Sequence, residues 1–169
     1  MTFEQFVAAQ GQALLRLAFV LCGDRHLAED LTQTALADAY RHWRKVTTAR
    51  DPEAYVRRVL VNAHLGRARR RWTTERPAEI TDAASTDTAT RRSADHAQAI
   101  ADRDEMRVLL ARLAPRARTV LVLRYYADLD DAAIADALAI SPSTVRATAS
   151  RALASLRGAA ALDPVEEAR

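Results

Sequence analysis

The stretch DAAIADALAISPSTVRATASRALASL, residues 131–156, carries the most specific local pattern in the chain. Its key positions Ala135, Ala139 and Val145 are separated by four and then six residues, which is the spacing of two helices joined by a tight turn. A small side chain at Ala135 lets the helices approach, and Val145 fills the contact between them. The pattern therefore predicts a helix-turn-helix.

The second helix of this motif is the candidate DNA-reading element. Ser141 suits the N-cap and Pro142 suits the first helical position, so the first turn should be exposed at the helix N-terminus, where it can enter a major groove. Ala139 departs from the glycine that the turn prefers, because the turn favours positive φ and alanine has a steric cost there. A plain helical hairpin without a role in DNA binding is the alternative interpretation.

Composition indicates that the rest of the chain is helical as well. Of the 169 residues 49% are apolar and 5% aromatic, with only 4 glycines and 5 prolines, which favours helices rich in alanine and leucine over strands. We expect an all-α protein with two small helical domains, residues 1–72 and 101–158, joined by a flexible linker over 73–100 and followed by a tail over 159–169. The linker is predicted because residues 73–97 hold almost no large apolar side chain.

The N-terminal domain should contain three helices. Gly23 ends the first, the second runs from about Arg25 to Trp43, and the third begins at Pro52 after a polar loop over residues 46–50. Residues 41–72 hold ten basic and two acidic side chains, a charge of +8 in a chain whose net charge is +3. Such a concentration favours a polyanionic partner, although a solvated basic helix face would give the same count.

Several other classes of protein are disfavoured by what the sequence lacks. We find no apolar run that approaches the roughly 20 residues needed to cross a bilayer, and no signal-peptide pattern, so we expect a cytoplasmic protein without membrane insertion. The 4 histidines and 1 cysteine are scattered and predict no metal site. The sequence shows neither a nucleophilic side chain paired with a general base nor a glycine-rich phosphate loop. We therefore expect no catalytic residues, no cofactor and no enzymatic activity.

The chain resembles the extracytoplasmic-function sigma factors of the sigma-70 family, in particular their actinobacterial sigma-E-like group. The resemblance extends from about residue 3 to 158, and these stretches carry it: AEDLTQ (28–33), PEAYVRRVLVNAH (52–64), RARRR (67–71), LAPRARTVL (113–121), RYY (124–126), TVR (144–146) and RAL (151–153). It implies a sigma factor that binds core RNA polymerase, through the β′ clamp and the β flap, and directs transcription from promoter DNA. It also implies an anti-sigma factor as inhibitor, for which the sequence gives no direct sign.

The resemblance assigns roles to three sets of residues. The polymerase-binding set consists of Glu29, Asp30, Leu31 and Gln33. The set for the minus-10 promoter element consists of Trp43, Arg50, Arg57, Arg58, Asn62, Arg69, Arg70 and Arg71. The set for the minus-35 element consists of Ser143, Thr144, Arg146, Ser150 and Arg151. These side chains suit the roles, because arginines neutralise phosphates, asparagine can read a base edge, and an aromatic ring can stack on an opened strand.

Two departures from the family pattern concern the predicted recognition helix. Ala147 and Thr148 stand where serine and arginine are usual, which removes a phosphate or base contact and predicts weak or unusual minus-35 binding. The main alternative function is a conventional helix-turn-helix regulator that does not act with polymerase, and a subunit of a nucleic-acid enzyme is a more distant one. The +8 segment and the AEDLTQ stretch argue against a ligand-sensing regulator, because its N-terminal half has no need of either.

Overall fold

The computed structural model describes residues 1–74 and 106–162, with side chains over 1–70 and 106–158. All regular structure in these residues is helical, and the expected all-α class with two helical units is confirmed. The predicted linker lies almost entirely outside the described residues, as does most of the predicted tail.

The N-terminal unit contains four helices, α1 (Phe3–Cys22), α2 (Arg25–Arg41), α3 (Trp43–Thr48) and α4 (Pro52–Thr74). Local chemistry sets their boundaries. Gly23 ends α1 with φ of 74°, in the left-handed region that glycine adopts without steric cost. Asp24 then accepts a 2.7 Å hydrogen bond from the Leu27 N–H and caps α2. Asp51 accepts a 3.0 Å bond from the Ala54 N–H and caps α4.

The predicted loop over residues 46–50 is wrong for most of its length. The helix α3 includes Val46, Thr47 and Thr48, and only residues 49–51 connect it to α4. Val46 is fully buried, so its apolar side chain ties this segment to the core. Each threonine hydroxyl donates hydrogen bonds to backbone carbonyls three and four residues earlier, which keeps these polar side chains within the helix.

The C-terminal unit begins with helical residues 106–111, here called α5. It continues with α6 (Pro115–Leu121), a π-helical segment (Val122–Tyr126), α7 (Asp131–Leu138) and α8 (Pro142–Leu162). The π-helical turn is closed by the Ala127 N–H, which donates a 3.1 Å bond to the carbonyl of Val122, five residues earlier.

The N-terminal core forms where α1 packs against α2 and α4. Its buried α1 side chains are Phe6, Leu14, Leu17, Ala18 and Leu21. By length and composition alone α1 could cross a bilayer, contrary to the expectation from the sequence, because it has 20 residues and an 18-residue stretch of it has a mean hydropathy of 1.3. Its buried residues pack against α2 and α4 in the N-terminal core, as those of a core helix do.

The two units contact one another through four helices and the π-helical segment. Helix α4 packs against α6 and α7, and α1 packs against the π-helical segment. Arg58 on α4 pairs with Asp136 on α7 at 3.5 Å. A cavity of about 270 Å³ lies between α1, α4 and the π-helical segment, and Phe6, Arg57 and Tyr126 are among its lining residues.

Candidate nucleic-acid interface

The helix-turn-helix predicted from the sequence is confirmed in α7, α8 and their connection. Ala139 adopts φ 51° and ψ 50°, the left-handed conformation that the spacing required. The turn is closed by the Ile140 N–H, which donates a 3.0 Å bond to the Ala135 carbonyl. Ala135 and Val145 are both buried, at 5% and 0% exposure, so they form the contact between the two helices.

The N-terminal part of α8 presents its predicted contact residues to solvent. Val145, Ala149 and Ala152 are buried and fix the inward face of the helix. Ser141 caps the helix by accepting a 3.1 Å bond from the Thr144 N–H. The five residues of the predicted minus-35 set are all exposed: Ser143, Thr144, Arg146, Ser150 and Arg151.

Polar groups organise the first turn of this helix. The Ser141 hydroxyl lies 2.8 Å from the hydroxyls of both Ser143 and Thr144, so two predicted contact residues share one anchor. Ala147 lies near the middle of the exposed face, where it offers only a methyl group. Its neighbour Arg151 donates from Nε to the Ala147 carbonyl at 3.3 Å, which leaves the rest of the guanidinium available to a ligand.

The predicted minus-10 residues of α4 occupy two different faces. Arg58, Asn62 and Arg69 are exposed, and their spacing of four and then seven residues places them on one side of the helix. Arg57 points about a third of a turn away and lines the cavity between the units. The structure therefore brings Arg58, Asn62 and Arg69 together and separates Arg57 from them.

The remaining members of the minus-10 set have mixed surroundings. Arg50, in the connection from α3 to α4, and Arg70 are exposed, whereas the side chain of Arg71 lies outside the described residues. Trp43 is half-buried, with its ring edge-on to Phe3 at 5.4 Å and to Phe6 at 5.6 Å. This packing agrees with a core role for the ring, and its stacking on DNA stays a prediction.

Three of the four predicted polymerase-binding residues form one face of α2. Glu29, Asp30 and Gln33 span about 100° of the helix and reach solvent at least in part. Arg25 pairs with Glu29 at 3.2 Å on the same surface. Leu31, the fourth, is 4% exposed, so its side chain packs in the core and is not presented to a partner in this arrangement.

Sequence reasoning gave no role to two polar residues at the contact between the units. His64 on α4 is 7% exposed, and its Nε2 has no hydrogen-bond partner. Burial and, to a smaller extent, the positive charge of Arg118 lower the pKa of His64 to about 4. Burial also lowers the pKa of the Arg118 guanidinium. The one available signal was the second arginine of LAPRARTVL, Arg118, which is followed by the apolar residues Val120 and Leu121 of α6.

The described residues do not assemble a metal site, since nowhere in 1–74 or 106–162 do three or more histidine, cysteine, aspartate or glutamate side chains form a suitable group. The candidate sites are instead helix faces with exposed cationic and hydroxyl side chains. Arginines in this arrangement suit phosphate oxygens, while asparagine and serine suit base edges.

Comparison with known proteins agrees with this arrangement. Residues 6–74 match the family model for sigma-70 region 2, and residues 103–156 match that for sigma-70 region 4. Over 155 residues the chain is 39% identical to the RNA polymerase sigma-E factors of Streptomyces coelicolor and Streptomyces avermitilis. The matches cover 92% of this chain and 84% and 83% of those proteins.

Solved structures share the fold at lower sequence identity. The sigma factor RpoE of Bartonella quintana, in complex with the anti-sigma factor NepR, has a TM-score of 0.71 and 19% identity over 96% of this chain and 98% of its own. CnrH, in complex with the cytosolic domain of CnrY, has a TM-score of 0.64 and 20% identity over 96% of this chain and 89% of its own.

These findings confirm the function expected from the sequence. The chain is a sigma factor that binds core RNA polymerase and promoter DNA and directs promoter-specific transcription initiation, and a conventional regulator is not favoured. It belongs to the extracytoplasmic-function sigma factors of the sigma-70 family, in their sigma-E-like group.

Proposed function

We propose that the N-terminal unit docks on core polymerase through Glu29, Asp30 and Gln33 of α2 and binds the minus-10 element through the exposed face of α4. The C-terminal unit would bind the minus-35 element through the N-terminal turns of α8. The observation that carries this assignment is the full exposure of the minus-35 set on a helix whose opposite face is buried. In this proposal the polymerase catalyses RNA synthesis and the sigma factor does not. The complex would act in the cytoplasm.

Promoter binding by both units requires them to separate. Elements centred about 25 base pairs apart span roughly 85 Å at about 3.4 Å per base pair. In the packed arrangement α4 touches α7 directly, so the two recognition surfaces are too close to reach both elements at once. The 31 residues between Thr74 and Met106 can bridge at most about 100 Å of fully extended chain, which is enough for the separated form.

Opening would also release a DNA-binding cation. In the packed form Arg58 pairs with Asp136, and the side chains are 44% and 80% exposed. A surface pair of this kind contributes less than about 1 kcal/mol, so DNA phosphates can replace the carboxylate at little cost. We infer that core polymerase and DNA together shift the chain to the open form.

An anti-sigma factor would act in the opposite direction by stabilising the packed form. The two related sigma factor structures are complexes with NepR and with the cytosolic domain of CnrY. In this chain the cavity between α1, α4 and the π-helical segment offers a surface that both units share. A protein bound there would hold the units together and keep the chain from a promoter.

Run-off transcription tests the proposed function directly. The purified protein is added to sigma-free bacterial core polymerase on a pool of genomic promoter fragments, with core polymerase alone as the control. Discrete transcripts that depend on the protein are expected, and their start sites give the promoter sequence. DNA binding without transcripts and without association with polymerase would contradict the proposal and favour a conventional regulator.

A further inference from the structure

A carboxylate at the start of α7 connects the π-helical segment to the recognition helix. Asp131 Oδ1 accepts a hydrogen bond from Nη2 of Arg124, and its Oδ2 lies 3.5 Å from Nη1 of Arg146. The three residues come from three successive elements, the π-helical segment, α7 and α8. Arg146 belongs to the predicted minus-35 set, whereas sequence reasoning gave Asp131 no role.

The carboxylate of Asp131 is well fixed before any DNA arrives. Asp130 supplies the cap of α7 by accepting a 2.7 Å bond from the Ala133 N–H, so the side chain of Asp131 is not needed for capping. Its position in the first turn also suits a negative charge, because the helix dipole is positive there. Asp131 and Arg124 are only 26% and 24% exposed, whereas Arg146 is 62% exposed. The pair of Asp131 and Arg124 is thus partly shielded from solvent, and the more exposed Arg146 contacts its carboxylate.

The composition of the recognition helix makes Arg146 unusually important. Over residues 142–151 its charged side chains are Arg146 and Arg151, and Ala147 between them offers only a methyl group. A free arginine side chain loses conformational entropy when it binds, at a cost of about 0.5–1.5 kcal/mol. An arginine already held in one orientation avoids part of that cost, and its planar fork then faces a chosen base edge.

We propose that Asp131 is a positioning residue for minus-35 recognition, which holds the Arg146 guanidinium in its base-reading orientation while Arg124 balances the carboxylate charge. The proposal rests on the proposed contact between Arg146 and the minus-35 element. With two arginines around one carboxylate, the group keeps a net positive charge toward DNA, so the carboxylate orients the cation without making the surface repulsive.

A double-mutant cycle tests this proposal. The full chain with core polymerase is bound to a promoter found by run-off transcription and to the same promoter with its minus-35 element scrambled. The ratio of the two affinities is measured for the wild type, Asp131→Asn, Arg146→Ala and the double variant. We expect Asp131→Asn to lower the ratio by roughly 2- to 10-fold, and to have no effect when residue 146 is already alanine.

A matched control on the same helix separates positioning from a general charge effect. Asp136→Asn also removes one negative charge from α7, but Asp136 pairs with Arg58 and not with Arg146, so the affinity ratio should stay unchanged. If Asp131→Asn instead strengthens binding to both promoters equally, the carboxylate is only a repulsive charge and the proposal is overturned. If Asp131→Asn lowers the affinity ratio by the same factor when residue 146 is already alanine, Asp131 has a merely structural role, and the proposal is also overturned.

Two further outcomes keep the proposal distinct from the function on which it rests. If Arg146→Ala leaves the affinity ratio unchanged, the assumed DNA contact is wrong and the proposal falls with it. If Arg146→Ala lowers the ratio but the cycle shows no coupling, only the positioning role fails. Should Asp131→Asn unfold, Asp131→Glu keeps the charge and moves the carboxylate by one methylene, and the expected ratio lies between those of the wild type and Arg146→Ala.

Discussion

The guanidinium of Arg118 donates a 3.2 Å hydrogen bond to the carbonyl oxygen of Leu21, in the last turn of α1. Arg118 lies on α6, so this bond joins the two units. The same guanidinium donates to the carbonyls of Leu110 at 2.7 Å, Ala111 at 2.8 Å and Leu113 at 3.4 Å. One cation therefore satisfies carbonyl groups at the C-terminal ends of two helices, where the helix dipole favours positive charge.

Replacing Arg118 should destabilise the protein more than replacing an exposed arginine does. In Arg118→Ala the carbonyls lose a charged donor, and we expect the free energy of unfolding to fall by about 2–3 kcal/mol. Urea unfolding followed by circular dichroism measures this change. Arg116→Ala is the control, because Arg116 is exposed on the same helix, and its effect should stay within about 0.5 kcal/mol. Equal losses in the two variants would contradict the bridging role.

The buried histidine predicts a loss of stability in acid. The pKa of His64 is about 4 in the folded protein, against 6.5 ordinarily, so the unfolded chain binds the proton more tightly. Its contribution to stability is present above pH 6.5 and is lost as the pH falls toward 4, by about 3 kcal/mol in all. Proton NMR titration of the ring and urea unfolding at a series of pH values measure the two quantities.

Two variants isolate the contribution of His64 from that of acidic groups that also titrate below pH 6.5. His64→Leu removes the ionisable ring and should flatten the loss of stability between pH 6.5 and 4. Arg118→Ala removes the nearby positive charge that lowers the pKa of His64, so this pKa should rise. A ring that titrates near its ordinary value in the wild type would refute the burial argument.

The sequence predicted those features whose causes are local. The helix end at Gly23, the helix start at Pro52 and the cap at Ser141 follow from the residues at those positions, and the strained turn follows from the spacing around Ala139. The buried residues of α1 recur along one helical face, since this helix packs mainly against α2 and α4 of its own unit.

The features that escaped sequence reasoning depend on contacts between distant segments. On α4 the buried residues include not only Val56 and Leu60, which share one row, but also Val61 and His64. Val61 lies about 100° around the helix from Leu60, whereas His64 lies only about 40° from it, so burial extends beyond one row, and α4 also packs against α6 and α7 of the second unit. The pairing of Asp131 with two arginines was missed for the same reason, because a single sequence does not show which side chains meet.

The turn of the helix-turn-helix offers a simple gain in stability. Ala139 lies in the left-handed region, which costs a residue with a side chain about 1–2 kcal/mol. Ala139→Gly removes this strain but adds freedom to the unfolded chain, so we expect a net gain of about 0.5–1 kcal/mol. Ala154→Gly, at an exposed position within α8, should instead lose about 1 kcal/mol. Thermal and urea unfolding of both variants measure these opposite changes in the free energy of unfolding. A loss of stability in both variants would contradict the backbone strain at Ala139.

Neighbouring arginines on α4 predict different effects on promoter binding. Arg58 belongs to the exposed face with Asn62, whereas Arg57 lines the cavity between the units. With core polymerase present, Arg58→Ala should weaken binding to all promoters and reduce the slope of log affinity against log salt by about 1. Arg57→Ala, the matched control, should leave that slope unchanged. A larger effect at Arg57 would mean that the DNA follows the cavity side of the helix.

Asn62 should differ from both arginines, because an amide carries no charge and can only read hydrogen-bonding groups. Asn62→Ala is expected to leave the slope of log affinity against log salt unchanged. It should reduce the preference for one base over the others at a single minus-10 position by about 1–3 kcal/mol. Binding of promoters with single substitutions across the minus-10 element identifies that position. If Asn62→Ala weakened all of these promoters equally, Asn62 would contact the sugar-phosphate backbone, and base recognition on α4 would have to come from another side chain.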